Sequence, residues 1–498
     1  MRGWEVWSTN NEVFDAVFPC LRELQIVDCP KLIEVSLKPL LSVEILRFRN
    51  IHGWKGWSTN REVSVLPCLR GLHIEKCPNL IEFSPEALPA LEYLWFEDML
   101  GWKMWSTNDA VFPCLRELHI IKCPQLIDVS VEALPSLMVL EIAKCGDGVL
   151  RSLVQAASSI TKLKTSFISG LTYEVWRGII EHIGAVEEVS IEKCNEIRYL
   201  WESEEEASKV LVNMKKLEVS KCSNLVSLGE KEEKDNFGSN LLSSLRILEV
   251  SNCDNMERCC CPNNIESLDI KWCSSLTHVS FPTAGATGGG GQKLKSLSIL
   301  SCDKLMEKIN NASMPMLESI GIWNWTNLKS IMQLGDFIYL TELYLYNCPS
   351  LESFPDIQLP VLTHLQIVEC NSIESFPDIP LPVLTSLTIE ECNSMESLCA
   401  LQMKNLSSLE DLKIRKCRDV RNFRQLSTGL QHLTSLQHLF IEGCLKLKLL
   451  PKQLLPSLLS LTIDECPDLR KRCEGRGSHY YHPLISHIPN INIYPRLN

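Results

Sequence analysis

One apolar phrase recurs along the whole sequence and restricts what the chain can fold into. The phrase reads Leu-x-x-Leu-x-Ile-x-x-Cys-x-x-Leu, and its first copy consists of Leu21, Leu24, Ile26, Cys29 and Leu32. Fifteen copies carry the cysteine, at Cys29, Cys77, Cys123, Cys145, Cys194, Cys222, Cys253, Cys273, Cys302, Cys348, Cys370, Cys392, Cys417, Cys444 and Cys466. Four further copies lack it and lie around Leu46/Phe48, Leu94/Phe96, Leu163/Phe167 and Ile320/Ile322. The chain is therefore a series of about 19 similar units, each of roughly 26 residues.

This phrase and this period are the signature of leucine-rich repeats. One such unit cannot bury its own apolar face, whereas a stack of them can. The Leu-x-Ile part alternates, which predicts a short strand with Leu and Ile inward and the intervening residues outward. The sequence therefore predicts an α/β solenoid: a leucine-rich-repeat horseshoe of about 19 units with a parallel β-sheet on the concave face.

The repeated cysteine follows each predicted strand. Free cysteine is small and readily buried and carries a weak S–H donor, which suits the tight turn at this position. Disulfides would need an oxidising compartment, and a metal site would need Cys-x-x-Cys pairs, which the sequence lacks. The one cluster, Cys259 to Cys261, consists of adjacent side chains that cannot readily converge on one metal. Packed, reduced thiols are favoured over disulfides or metal ligands.

The whole chain, residues 1–498, is predicted to form one solenoid with five segments. Repeats linked by Trp-x-x-Trp occupy 1–145, an irregular segment follows at 146–185, and 186–339 holds repeats with acidic and Gly-rich loop insertions. Compact repeats cover 340–469, and a C-terminal cap covers 470–498. In the first segment, a tryptophan pair recurs at 4 and 7, 54 and 57, and 102 and 105, and we expect these pairs to cover the convex side. Within the irregular segment, residues 175–183 are predicted to include a short helix.

Composition excludes several functions. The 49 Lys and Arg against 61 Asp and Glu give a net charge of −12, which argues against a binder of nucleic-acid backbones. No apolar run approaches the ~18 residues of a membrane span, and the N-terminus has no apolar signal core, so a cytoplasmic protein is expected. The glycines at 288–291 do not continue as a phosphate loop, and no catalytic motif occurs. The chain is expected to be no enzyme and to have neither cofactor nor metal.

Large aromatic residues occur at predicted outward positions, where a partner could contact them. They are Tyr93, Trp95, Trp272, Trp323, Tyr344, Tyr346 and Phe440. Exposed aromatics are unusual, and interfaces favour Trp and Tyr, so these seven are candidate protein contacts on the concave face. Four of them, from Trp272 to Tyr346, lie in four neighbouring units and could share a patch. The alternative is that adjoining loops cover them. His73, His119, His364 and His438 also lie at outward positions, where surface contact is favoured over catalysis.

The residues at the start of the first repeat point to a family. The stretch Phe18-Pro19-Cys20-Leu21-Arg22-Glu23-Leu24-x-Ile26-x-x-Cys29-Pro30-x-Leu32 resembles the repeats of plant intracellular immune receptors, specifically the coiled-coil class of nucleotide-binding receptors. The Cys-Pro pairs at 29–30, 77–78, 123–124, 348–349 and 466–467 are similar to theirs, and so is the ending from Cys466 to Pro489. The resemblance covers essentially the whole chain.

This resemblance implies recognition by surface complementarity in plant defence. The partner would be a pathogen effector, a guarded host protein or the receptor's own nucleotide-binding module. That module and its phosphate loop do not occur in this sequence, so nucleotide binding is not carried over, and we expect a receptor fragment, a partial gene model or a stand-alone product. Two alternatives remain. A repeat adaptor that presents substrates to a ubiquitin ligase would need an amphipathic helical module, and an extracellular repeat receptor would need a signal peptide and cap cysteines.

Overall fold

The structure is a computed structural model of the chain. It describes residues 5–8, 20–36, 41–57, 66–85, 87–107, 112–202, 207, 209–229, 242–262, 264–280, 293–302, 304–305, 314–329, 337–352, 359–373, 380–393, 406–417, 433–448, 450, 457–474 and 485–494. These residues fall into two compact units. The first contains residues 1–234, 241–245 and 252–254, and the second contains 235–240, 246–251 and 255–498.

Short strands dominate both units. The first unit contains β1 (Val6–Ser8), β2 (Glu23–Val27), β3 (Glu34–Ser36), β4 (Ile45–Arg49), β5 (Gly71–Glu75), β6 (Glu82–Phe83), β7 (Tyr93–Glu97), β8 (Met104–Ser106), β9 (Glu117–Ile121), β10 (Asp128–Ser130), β11 (Val139–Ala143), α1 (Asp147–Ala156), β12 (Lys162–Ser166), α2 (Tyr173–Ile180), β13 (Glu188–Glu192) and β14 (Lys216–Ser220). The second contains β15 (Ile247–Ser251), β16 (Arg258–Cys260), β17 (Ser267–Lys271), β18 (His278–Ser280), β19 (Ser296–Leu300), β20 (Ser319–Trp323), β21 (Glu342–Tyr346), β22 (His364–Val368), β23 (Ser386–Glu390), β24 (Asp411–Arg415), β25 (His438–Glu442), β26 (Ser460–Asp464), α3 (Pro467–Glu474) and β27 (Asn490–Ile493).

Each unit is built on one main parallel sheet. In the first unit β2, β4, β5, β7, β9, β11, β12, β13 and β14 pair in this order. In the second unit β15, β17 and β19 to β27 pair likewise. A strand therefore lies at each of the nineteen predicted phrases, and β27 adds one more. The predicted leucine-rich-repeat solenoid is confirmed.

The register of the main sheets pairs equivalent positions of neighbouring repeats. Leu72 of β5 pairs with Leu94, and Ile74 pairs with Phe96, and all four are buried. The first, third and fifth residues of most strands face away from this interior and form what is here called the open face of the main sheet. Each buried aliphatic or aromatic side chain contributes about 1.5–3 kcal/mol, so the stack offsets the entropy of ordering the loops between strands.

One phrase departs from the predicted alignment. Around Leu163 the second inward position is taken by Thr165, which is buried, and its hydroxyl donates to the carbonyl oxygen of Ser190 at 3.5 Å. Phe167, predicted inward, is instead 39% exposed, because the chain turns directly after β12 and leaves Phe167 in a left-handed conformation with φ of 52°. The Lys193 ammonium lies 4.2 Å from the centroid of its ring.

The cysteines fill the position predicted for them. All fifteen phrase cysteines are buried. The thiol of Cys145 donates to the carbonyl oxygen of Ala143 at 3.3 Å and to that of Ile120, on a neighbouring strand, at 3.7 Å. Burial raises the pKa of Cys77 to about 12 and that of Cys194 to about 11. These thiols are therefore packed donors to backbone carbonyls.

The sequence led us to expect the tryptophan pairs on the outside of the stack, and this expectation is wrong for the pairs at 54 and 57 and at 102 and 105. Trp54, Trp57, Trp102 and Trp105 are at most 9% exposed and belong to the interior. Trp102 packs on Phe96 with ring centroids 4.3 Å apart, and its indole N–H donates to the carbonyl oxygen of Met104 at 2.8 Å. The indole N–H of Trp54 likewise donates to the carbonyl oxygen of Gly56 at 2.7 Å, and a large ring with a satisfied N–H is more stable inside than against water. Nε1 of Trp57 and of Trp105 is buried without a hydrogen-bond partner in the described part of the chain, so these two rings are held by apolar packing. Trp4 and the side chain of Trp7 lie outside the described residues.

Small additional sheets and helices complete the repeats. Parallel pairing joins β1 to β3, β8 to β6 and β10, and β16 to β18. The helix predicted within 175–183 is confirmed as α2, which begins two residues earlier. The hydroxyl oxygen of Thr172 accepts a hydrogen bond from the backbone N–H of Val175 at 3.4 Å and caps it. Helix α1 buries Val149, Leu150, Leu153 and Val154.

Candidate protein-contact face

Six of the seven predicted contact residues lie on an open face. Tyr93 and Trp95 are the first and third residues of β7 in the first unit. In the second unit Trp323 ends β20, Tyr344 and Tyr346 lie in β21, and Phe440 lies in β25. These residues form one group in the first unit and two groups in the second.

The seventh residue, Trp272, was predicted to lie on a strand, and this prediction is wrong. It directly follows β17 in a left-handed conformation with φ of 51°, and its backbone N–H donates to the carbonyl oxygen of Leu300 at 2.7 Å. The same turn recurs after most strands of the main sheets, for example at Lys76, where the N–H donates to Glu97 of the next strand at 2.9 Å. Trp272 is 48% exposed at the edge of the sheet, and β19 separates its strand from that of Trp323. It therefore does not join the other aromatic residues.

Trp323 and Tyr346 form a stacked pair across β20 and β21. Their ring centroids are 5.7 Å apart and the ring planes differ by 20°. Gly321 makes this arrangement possible, because a Cβ atom there would lie 2.1 Å from the Trp323 ring. The indole thus folds back over Gly321, which is buried beneath it, while Trp323 itself stays half-buried. Tyr344 pairs with Gly321 in the register, so Trp323, Tyr344 and Tyr346 form one aromatic platform.

Polar groups hold the platform in place. The phenol of Tyr346 donates to the side-chain oxygen of Gln366. Burial, followed by the neighbouring carboxylate of Glu342, raises the pKa of Tyr344, and burial followed by Glu390 raises the pKa of Tyr346. Both phenols are therefore protonated donors at neutral pH. The aromatic platform is fixed by its neighbours before any partner arrives.

A charged cluster lies two strands beyond the platform. Arg415 donates from Nη1 to Oε2 of Glu390 at 3.0 Å and from Nε to Oε2 of Glu442 at 2.8 Å, and it bridges three strands. Its guanidinium carbon lies 6.0 Å from the centroid of the Phe440 ring. The hydrogen bond with Glu442, opposed by burial, raises the pKa of Arg415. Phe440 thus belongs to this ionic cluster, where its ring contacts the guanidinium of Arg415.

The first unit carries a different aromatic group. Trp95 stacks on His119 with centroids 4.2 Å apart, and His73 approaches the other side of Trp95 edge-on at 5.7 Å. The indole N–H of Trp95 contacts Oε2 of Glu97 at 3.3 Å. Both histidines lie outward, as the sequence predicts, and their contacts with Trp95 are an addition that the sequence prediction did not contain. The cross-strand register of the third position in β5, β7 and β9 was the signal that could have shown it.

Within the described residues, no three His, Cys, Asp or Glu side chains converge on a possible metal position. Of the adjacent cysteines, Cys259 and Cys261 are buried and Cys260 is half-exposed. Among the helices that the structure describes, none has the length and apolar character of a membrane span. Loops leave Tyr93 47% exposed, so the alternative of covering loops does not hold for this residue.

Comparison with protein-family models and with curated proteins gives no match. Among solved structures the chain is similar to that of a TLR13–ssRNA13 complex, with 13% identity over 89% of this chain and 83% of that chain at a TM-score of 0.30. A Leptospira interrogans leucine-rich-repeat protein matches with 16% identity over 73% and 93% at 0.33. Mouse RP105 in complex with MD-1 matches with 12% identity over 90% and 75% at 0.37. The class of the chain, a leucine-rich-repeat solenoid, rests on its own strand pairing.

Proposed function

We propose that the chain is the protein-binding leucine-rich-repeat region of a plant disease-resistance protein, which recognises a pathogen effector or a guarded host protein in the cytoplasm. The observation that carries this proposal is the aromatic platform of Trp323, Tyr344 and Tyr346 on the open face. Interfaces obtain most of their binding energy from a few Trp, Tyr and Arg anchors in ordered surroundings. The platform offers such anchors already positioned.

The charges on the open face of the second unit favour a protein partner. Carboxylates and cations alternate on the open face of the second unit, as in the cluster of Glu390, Arg415 and Glu442. A surface of mixed sign gives specificity through complementary charges on a folded partner. A nucleic-acid backbone would need a continuous basic surface, which a net charge of −12 does not favour.

The role in plant defence is supported by the sequence resemblance. The stretch from Phe18 to Leu32 and the recurring Cys-Pro pairs are similar to repeats of coiled-coil nucleotide-binding receptors. Reading the encoding transcript upstream of Met1 tests this part. A phosphate loop in frame supports a receptor, whereas an amphipathic helical module there supports the ubiquitin-ligase adaptor and contradicts the proposal.

Binding is tested by screening the chain against the effectors of a plant pathogen and their host targets. A double variant, Trp323→Ala with Tyr344→Ala, should weaken binding of a selected partner about tenfold or more. Ile127→Ala is the matched control, since Ile127 is 79% exposed and lies outside the open face. The circular-dichroism melt should hardly change in either variant. A partner that binds the double variant as tightly as the unchanged chain contradicts the proposed contact surface.

A further inference from the structure

We infer that the aromatic platform binds the guanidinium group of an arginine side chain presented by the protein partner. The inference rests on the proposed function and specifies the chemistry of its partner. Three features of the second unit support it: the position of the Trp323 ring, the distribution of charge around it, and a guanidinium that the chain itself already holds on the same sheet.

Because Gly321 has no side chain, the Trp323 indole lies over the strand backbone, and Tyr346 runs nearly parallel to it. Two nearly parallel rings held against a sheet offer π-surface for a planar group to stack on. Trp is the aromatic side chain that attracts cations most strongly, and Arg stacks on such surfaces more often than Lys.

The charge around the platform selects a cation. The outward residues of β20 to β23 include two glutamates, Glu342 and Glu390, and neither lysine nor arginine. Glu390 is already paired with Arg415. Glu342 accepts hydrogen bonds from the Ser319 hydroxyl at 3.2 Å and from the Tyr344 phenol, but within the described residues no lysine or arginine forms an ion pair with it. A carboxylate without a cation therefore lies against the platform, in contact with the Tyr344 phenol.

The chain already shows how this face holds a guanidinium. Arg415 lies between the carboxylates of Glu390 and Glu442 and against the ring of Phe440. A partner's arginine at the platform would repeat these contacts. Trp323 and Tyr346 would take the place of the Phe440 ring, and Glu342 would supply the carboxylate. Planar donors matched to a carboxylate favour arginine over lysine at such a position. The same carboxylate would repel the phosphate of a nucleotide.

The probe is the blocked tripeptide acetyl-Gly-Arg-Gly-amide, titrated into the chain labelled with 5-fluorotryptophan. The fluorine spectrum reports on each of the 12 tryptophans, and the Trp323→Phe variant identifies the Trp323 signal. That signal should shift in a saturable way, with a dissociation constant of about 1–10 mM for one stacked ion pair. The same peptide with citrulline, which is neutral and nearly isosteric, should bind at least about fivefold more weakly. Uridine monophosphate should not shift the signal.

Two glycines provide a matched pair of variants. Gly321→Ala forces the Trp323 ring off the strand, because the added Cβ would lie 2.1 Å from it, and should abolish the response to arginine. Gly71→Ala also changes an outward strand glycine, but its Cβ meets only Ile45 at 3.8 Å and the response should stay. Should Gly321→Ala lower the melting temperature, Trp323→Leu removes the π-system while keeping an apolar side chain, and it should likewise abolish binding.

Three results would overturn the inference: an unmoved Trp323 signal with the arginine peptide, an equal shift with the citrulline peptide, or a stronger response to uridine monophosphate. The proposed function is measured separately with an intact partner. A partner that depends on Trp323 and Tyr344, combined with no response to arginine, would remove the arginine inference and leave the proposed contact surface standing.

Discussion

Trp95 stacks on His119 across neighbouring strands, with ring centroids 4.2 Å apart and planes 26° from parallel. His119 is in turn held by a carboxylate, since its Nδ1 lies 2.9 Å from Oε2 of Glu141. On the other side His73 contacts Trp95 edge-on, and its Nε2 is buried with no hydrogen-bond partner in the described part of the chain. The two histidines thus support the same indole, but only His119 lies within hydrogen-bonding distance of a carboxylate.

This asymmetry gives a pH dependence to stability through His73. Burial lowers the pKa of His73 from its usual 6.5, against the opposing carboxylates Glu75 and Glu97, while Arg47 and Arg49 lower it further. A lowered pKa means that the unfolded chain binds the proton more readily than the folded one. The contribution of His73 to stability is therefore fully present above pH 6.5 and is lost as the pH drops below it. Urea unfolding of the first repeats, followed between pH 7.5 and 5, measures this loss.

The His73→Phe variant isolates the effect, because Phe keeps the edge-on contact with Trp95 and cannot be protonated. Between pH 7.5 and 5 the variant should lose less stability than the unchanged chain. His364→Phe is the control, because His364 is also an outward strand residue, the first of β22, but lies in the second unit. Equal pH profiles for the unchanged chain and His73→Phe would contradict the assignment.

The interior position of Trp102 predicts a large stability loss on truncation. Its side chain is fully buried, packs on Phe96 and donates a hydrogen bond to Met104. Trp102→Ala should therefore lower the free energy of unfolding by about 3–5 kcal/mol, as for other buried tryptophans. Leu100→Ala, at a residue 51% exposed in the same turn, should cost less than about 0.5 kcal/mol. Thermal and urea denaturation followed by circular dichroism measure both, and a small loss for Trp102→Ala would mean that the pair lies outside after all.

The sequence predicts the main sheets well because one physical rule, alternation of buried Leu and Ile, acts at every repeat. The same rule says nothing about loops, so Trp54 and Trp102 were expected outside although their N–H groups find backbone carbonyls inside. Trp272 was assigned to the wrong position for a related reason. Trp272 follows its strand in a left-handed turn, whereas the alternation of inward and outward residues, extended by two positions, placed it on the strand. Contacts such as Trp95 on His119 depend on register between repeats, which one phrase alone does not specify.

The bridge through Arg415 predicts a salt-sensitive contribution to stability in the second unit. Arg415→Met removes both hydrogen bonds to Glu390 and Glu442 but keeps an apolar stem against Phe440. The loss should be about 1 kcal/mol at low salt and smaller at 0.5 M salt, because screening weakens partly exposed ion pairs. A double-mutant cycle with Glu442→Gln measures the coupling. A loss that does not depend on salt would assign the effect to packing alone.

Burial divides the cysteines into two reactivity classes. Cys20, Cys68 and Cys114 are exposed at the same place in three repeats, two residues before an arginine. The phrase cysteines are buried and therefore inaccessible, and in Cys77 burial also raises the pKa to about 12, so that its reactive thiolate form is rare. Iodoacetamide at pH 7.5 should label the three exposed thiols within minutes and Cys77 only after the chain is unfolded in guanidinium. Peptide mass spectrometry assigns each label, and Cys68→Ser is the control that should remove one label and leave the other two. Labelling of Cys77 at the rate of Cys68 in the folded chain would mean that the repeats open locally and that the stack is not the closed interior described above.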